Sequence, residues 1–189
     1  MPCELEEKTD KELIEGYLRG VQCDFEKLYD RHKRLLYGYL FSMLPNQHAV
    51  VDDIFQQTWI KVLEKMPEYK CSNKFRAWLT KIAHNLTIDY FRKTKKYKFT
   101  VNLDDPDANS ITDDSSAQWE VLDEITIRSS VNDALASLKL EQREVFIMRQ
   151  NKISFKEIAV IQKSSINTVL ARMQYAVKNI QKYLAKSIS

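Results

Sequence analysis

"FRAWLTKIAHNLTIDYFRKTKK", residues 75–96, repeats its apolar groups at helical spacing yet also carries an indole, an amide and a cationic end. At about 100° per residue, Phe75, Leu79, Ile82, Leu86 and Tyr90 gather on one side, which a helix must bury. A second side carries Trp78, Lys81, Asn85, Arg92 and Lys96, with Asp89 at its border. Aromatic rings stack on unpaired bases for roughly 1–3 kcal/mol per base. Lys and Arg neutralise phosphates, and Asn hydrogen-bonds base edges. The end "FRKTKKYK" concentrates Arg92, Lys93, Lys95, Lys96 and Lys98. The same cations also suit a solvated helix end that complements the dipole, so the segment alone does not decide between these roles.

Upstream the pattern is helical throughout. Thr9 and Glu12 have capping-box spacing before "LIEGYLRG". In the following stretch Phe25, Leu28, Tyr29, His32, Leu36, Tyr39, Leu40 and Met43 share a face. Pro45 disfavours helix at Leu44, and Asn46 is the expected cap of the next helix. That helix runs from about His48 to Lys65, with Val51, Ile54, Phe55, Thr58, Trp59 and Val62 inward. Asp52, Asp53, Gln56, Gln57 and Ile60 lie opposite with Glu64, acids and amides around one apolar group. This suits docking on a basic, partly apolar partner; it equally describes an ordinary acidic surface.

Downstream, "NLDDPDANSITDDSSAQ" (102–118) is acidic and polar without helical period, and reads as a flexible linker. Helical pattern resumes near Trp119. In "NKISFKEIAVIQKSSINTVLARMQYAVKNIQKYL" (151–184), Ser154 and Glu157 form a second capping box, and Ser164 or Ser165 caps a longer helix from Ile166. Val169, Met173, Ala176, Val177, Ile180 and Leu184 line its buried side. A short helix, a tight turn and a longer helix describe a helix-turn-helix or a plain helical hairpin. In the former, base edges would meet Ser165, Asn167, Thr168, Ala171, Arg172 and Tyr175.

Only 3 Gly and 4 Pro in 189 residues argue against an all-β fold, and 44% hydrophobic residues suffice for packed cores. Lys+Arg at 29 against Asp+Glu at 26 gives +3, so charge distribution, not total, points to nucleic acid. Cys3, Cys23 and Cys71 form no CxxC pair, and His32, His48 and His84 lack ligand spacing; no metal or cofactor is expected. No apolar stretch approaches the ~20 residues of a membrane span, and the acidic N-terminus is unlike a secretion signal. A reducing, cytoplasmic location is expected, without membrane insertion.

The order "VVDDIFQQTWIKVLEKM", "KFRAWLTKIAHNLTIDYFRKTKK", linker, "LASLKLEQREVFIMRQNKISFKEIAVIQKSSINTVLARMQYAVKNI" resembles the extracytoplasmic-function sigma factors of bacterial RNA polymerase, from about Phe25 to Leu184. The resemblance implies an all-α chain of two small helical domains, an N-terminal bundle (1–98) and a C-terminal helix-turn-helix domain (119–189), joined by an acidic linker (99–118). It implies that Asp52, Asp53, Gln56, Gln57 and Ile60 grip the clamp helices of the polymerase's largest subunit. Positions 68–92 match the part that captures the melted minus-ten element, with a flipped base pocketed at about Tyr69 to Lys74. The implied minus-ten residues are Tyr69, Ser72, Asn73, Lys74, Arg76, Trp78, Lys81, Asn85, Arg92, Lys93, Lys95 and Lys96. The C-terminal domain would read the minus-thirty-five element through Ser165, Asn167, Thr168, Ala171, Arg172 and Tyr175, beside the polymerase flap. Promoter DNA, core RNA polymerase and an anti-sigma factor are the implied partners. Asp104, Asp105, Asp107, Asp113 and Asp114 suit a linker lying in a basic channel of polymerase, or a solvated tether.

The chain departs from the family at Lys163, where a turn glycine is common, at Leu170 in place of a frequent lysine, and at Lys139 in place of a proline. Fewer cations on the reading helix mean weaker phosphate contacts, and recruitment by another DNA-targeting partner is an alternative. A stand-alone helix-turn-helix regulator would leave 48–98 without a role. A metal-dependent nuclease is disfavoured because adjacent Asp52 and Asp53 diverge by about 100°, with Glu64 and Asp89 elsewhere and no nucleophile–base set. A pure protein-interaction module remains the third class.

Overall fold

The computed structural model describes residues 8–70, 74–101 and 133–187, the side chains of 96–101, 186 and 187 excepted. Among the described residues the elements are helical: α1 (Asp10–Leu18), α2 (Gln22–Met43), α3 (His48–Lys65), a 3-10 turn (Met66–Glu68), α4 (Phe75–Val101), α5 (Leu140–Gln150), α6 (Phe155–Ile161) and α7 (Ile166–Ser187). A helical turn at 133–136 precedes α5.

Caps set the starts. Thr9 Oγ1 accepts from Glu12 N at 3.3 Å while Glu12 accepts from Thr9 N at 2.7 Å, the reciprocal box its spacing predicts. Ser154 and Glu157 do the same for α6. Ser165, not Ser164, caps α7 by accepting from Thr168 N at 3.1 Å. Asn46 does not cap α3: the N-cap is Gln47, without a side-chain bond. Asn46 instead takes a left-handed conformation (φ 63°), which Asn tolerates, to turn the chain after Pro45.

The apolar stripes of α2, α3 and α4 pack together as core, whereas on α7 only Val169 and Ala176 of the expected stripe are fully buried. Leu28, His32, Leu36, Tyr39, Leu40 and Met43 of α2 are buried against Val51, Ile54 and Val62 of α3 and Phe75, Leu79 and Ile82 of α4. Buried threonines satisfy their hydroxyls internally: Thr58, Thr80 and Thr87 each donate to the carbonyl one turn back, at 2.7, 2.9 and 2.9 Å. Gly16 is required where α1 meets α2, because a Cβ there would overlap Asp24 Oδ2. Asp24 is itself fully buried and receives Lys8 Nζ at 2.9 Å.

Two features go beyond the sequence reading. Helix α4 continues to Val101, beyond the expected boundary at 98, since no Gly or Pro interrupts Lys95–Val101. The helices on either side of the linker share one large buried cluster, beside a smaller one that Leu135, Leu138 and Ala176 form on the C-terminal side. Val145, Met148, Ile153, Ile158 and Val169 belong to the same buried cluster as Leu36, Tyr39 and Phe75. Helix α5 packs on α2, and α6 on α4. Residues 102–132, with the acidic linker, lie outside the described set.

Candidate nucleic-acid and partner interface

Helix α3 turns Asp52, Asp53, Gln56 and Gln57 to solvent, and Ile60 is 55% exposed among them. The opposite stripe fixes this orientation by its burial. Tyr37 of α2 donates to Asp52 Oδ1 at 3.1 Å. Desolvation, with the neighbouring Asp52 carboxylate, raises the phenol above its usual range, so it stays a donor. Beside it, Tyr29, Lys33, Arg34, Tyr37, Phe41 and Phe55 line an open, mostly apolar groove with a cationic edge. Sequence reasoning missed this groove. Its signal was available: Tyr37 and Phe41 stand one turn apart, off the core stripe of α2.

The basic side of α4 stands as its spacing predicts, with one difference. Lys74, Lys81, Asn85, Arg92, Lys93 and Lys95 are exposed, but Trp78 is half-buried. Its ring packs 4.6 Å from Tyr69 and 5.6 Å from Phe75, centroid to centroid. Packing on the 3-10 turn draws it from the outer side of the helix toward the core. Arg92 makes a long, exposed pair with Asp89 (3.7 Å), too weak to occupy it. Ser72 and Asn73 lie outside the described residues, as does the Lys96 side chain.

On α7, Asn167, Thr168 and Tyr175 are exposed and Ala171 is half-buried. Ser165 is exposed but engaged in the cap. Arg172 turns inward: Nη1 donates to Gln162 Oε1 at 2.7 Å. Around it, Val160, Ile166, Leu170 and Tyr175 are exposed by 62, 41, 39 and 59%. The face expected to read DNA is thus more apolar than cationic.

The structure brings the two predicted DNA surfaces together. Tyr69, Lys74, Trp78 and Lys81 share a cleft with Lys156 and Val160 of α6. Asn85 and Arg92 share another with Arg172. Between them Arg76 Nη1 donates to Asn151 O at 3.3 Å. Beneath lies Glu144, a buried carboxylate that sequence reasoning left unassigned. Oε1 lies 2.6 Å from both Tyr39 Oη and His84 Nδ1, and Oε2 receives Gln162 Nε2 at 2.7 Å. Burial and then the Glu144 charge push the Tyr39 hydroxyl well above its ordinary range, holding it as a donor. The one sequence clue was an acid inside the apolar run "EVFIM".

The Sigma-70 region 2 family model matches residues 28–97, which cover α3 and most of α2 and α4. Curated relatives extend the likeness over most of the chain. The RNA polymerase sigma factor YlaC of Bacillus subtilis (strain 168) is 27% identical over 163 residues, covering 86% of this chain and 92% of that protein. The ECF RNA polymerase sigma factor SigW of the same organism is 25% identical over 180 residues, covering 92% and 96%. The chain is a homologue of the extracytoplasmic-function sigma factors. The fold agrees: the structure of the sigma factor RpoE in complex with the anti-sigma factor NepR from Bartonella quintana matches with TM-score 0.68 and 23% identity, over 86% of this chain and 97% of that one. CnrH, solved with the cytosolic domain of CnrY, matches with TM-score 0.68 and 21% identity, over 95% and 99%. In this sigma-factor homologue the region 2 match therefore includes both the acid-and-amide face of α3 and the basic, aromatic face of α4. Among its described residues no helix is long and apolar enough to cross a membrane.

Proposed function

We propose that this chain binds core RNA polymerase in the cytoplasm and directs it to promoters, performing no chemistry of its own. The observation that carries this is the arrangement within residues 28–97. One helix exposes Asp52, Asp53, Gln56, Gln57 and Ile60, and the next exposes Lys74, Lys81, Asn85 and Arg92 beside the Tyr69–Trp78 pair. The first face docks on the clamp helices of the polymerase's largest subunit: an exposed isoleucine supplies apolar contact, and acids complement a basic partner. The second receives the melted minus-ten strand, with rings to stack a displaced base and cations to hold phosphates. Residues 1–98 and 119–189 act as separate modules when bound to polymerase, the second beside its flap and over the minus-thirty-five element. An anti-sigma factor covering these faces is the natural antagonist, a reading supported by the structural neighbour RpoE, solved with the anti-sigma factor NepR. Multi-template transcription in vitro with core polymerase tests the proposal. Adding the chain should create new start sites; unchanged transcription on every template would contradict it.

A second reading is favoured by the exposed Val160, Ile166, Leu170 and Tyr175 and by the inward Arg172. The C-terminal helices then contribute less to upstream DNA than to a protein that brings the complex to its site. Footprinting the chain with polymerase on a responsive promoter discriminates. Protection of the minus-thirty-five element that Asn167→Ala and Thr168→Ala abolish supports direct reading.

A further inference from the structure

We infer that two residues of α2, Gly38 and Tyr37, take part in the docking assigned above to α3. Gly38 leaves the helix backbone open to close approach by a partner helix, and Tyr37 fixes the Asp52 carboxylate beside it. The inference rests on the proposed function for the identity of that partner, the clamp helices of polymerase.

Gly38 is a residue that the packing of the chain does not explain. It stands inside the 22-residue helix α2, where glycine is the least favourable residue after proline. Its backbone does not call for glycine, because its φ is not positive. Neither do its surroundings: a Cβ added there would meet nothing within 4 Å. Gly16 is the contrast, since a Cβ there would overlap Asp24. A glycine that weakens its helix and serves no turn or contact within the chain is accounted for by a close approach from outside it.

The surroundings of Gly38 say what approaches. It is exposed and lines the open groove together with Tyr29, Arg34, Tyr37, Phe41 and Phe55. The aromatic walls hold one another: Phe55 meets Tyr37 edge to face at 5.7 Å and Tyr29 at 6.2 Å, centroid to centroid. The groove is therefore formed before any partner arrives. Two helices come to about 8 Å rather than 10 Å only where the side chains between them are small, which Gly38 provides. Lys33 already pairs with Asp30 at 2.6 Å, so the exposed Arg34 is the group that an incoming acid would meet. Tyr37 joins this groove to the acid-and-amide face, since its hydroxyl donates to Asp52 Oδ1 at 3.1 Å. One side chain thus belongs to both surfaces and holds the carboxylate in place for a cation. The matching partner helix carries apolar groups over Gly38, an acid toward Arg34 and a cation toward Asp52.

The test measures the affinity of the full chain for purified core RNA polymerase, with thermal melting of the free chain alongside. Gly38→Leu puts a good helix former into open space, so the melting temperature should hold or rise while the complex weakens about tenfold or more. Gly38→Ala should act in the same two directions with a smaller loss of affinity. A glycine with a merely structural role would not give loss of binding together with a firmer helix. Tyr37→Phe keeps the groove wall and removes the bond, and should weaken the complex about threefold. In an Asp52→Ala background the same change should add almost nothing, because the hydroxyl acts through that carboxylate. Unchanged affinity in both Gly38 variants overturns the inference, and so does an equal Tyr37→Phe loss with and without the Asp52 carboxylate. If Gly38→Leu does not melt cooperatively, Gly38→Ala decides. Failure of the wild type to bind polymerase contradicts the proposed function and this inference with it. Wild-type binding that is indifferent to Gly38 and Tyr37 overturns this inference alone.

Discussion

At Asp10 and Glu144 single carboxylates tie distant parts of the chain together, by different physics. Asp10 is only partly buried. Desolvation acts to raise its pKa, but hydrogen bonds and charge from His32 (2.9 Å) and Arg31 (2.7 Å) outweigh it and hold the group below the usual range. A carboxylate depressed in the folded state contributes stability above its unfolded pKa of about 3.9 and loses it as pH falls through the lower folded value. Asp10→Asn should therefore lower the melting temperature at neutral pH, and the gap from wild type should close as the pH approaches about 2. A gap independent of pH would show that the Asp10 charge contributes nothing. Glu144 was illegible in the sequence for a physical reason. A buried acid is recognisable only by its partners, and Tyr39, His84 and Gln162 come from elements far apart in the chain. The exposed residues were easier to read: Asp52, Asp53, Gln56, Gln57 and Ile60 face solvent because the opposite side of α3 is apolar.

Among elements, the helices and their starts were legible because capping boxes and apolar period are local signals. Thr9, Ser154 and Ser165 cap as spacing predicts; Asn46 does not, because the turn after Pro45 makes a competing use of it. Lys163 sits at φ 50°, a left-handed conformation between α6 and α7 that a glycine adopts without steric cost. A non-glycine residue there costs roughly 1 kcal/mol. Lys163→Gly should stabilise the chain by up to about 1 kcal/mol in urea denaturation, offset in part by unfolded-state entropy. A loss of stability would mean the lysine side chain contributes more than its backbone strain costs. Gly16 is the opposite case. An added methyl would meet the buried Asp24 carboxylate, so Gly16→Ala should destabilise by about 1–3 kcal/mol, as overpacking does. A midpoint equal to wild type would mean that α1 shifts freely on α2.

For the whole molecule, composition and order pointed to two helical units, but not to their docking. The contact between α5, α6 and the N-terminal helices joins residues separated by the acidic linker, and nothing periodic in a sequence encodes that. The acid-and-amide side of α3 is not part of this contact: Asp52, Asp53, Gln56, Gln57 and Ile60 are exposed, with Asp52 reached by Tyr37 of α2. If that side docks on polymerase as proposed, raising salt should weaken the complex by screening its acids. Retention of the full chain by purified core RNA polymerase, wild type against Asp52→Lys/Asp53→Lys, tests the central claim most directly. The account predicts co-elution of the wild type and at least a tenfold weaker complex for the reversed pair, about 1.4 kcal/mol or more. Equal retention of both, or retention of neither, would contradict it.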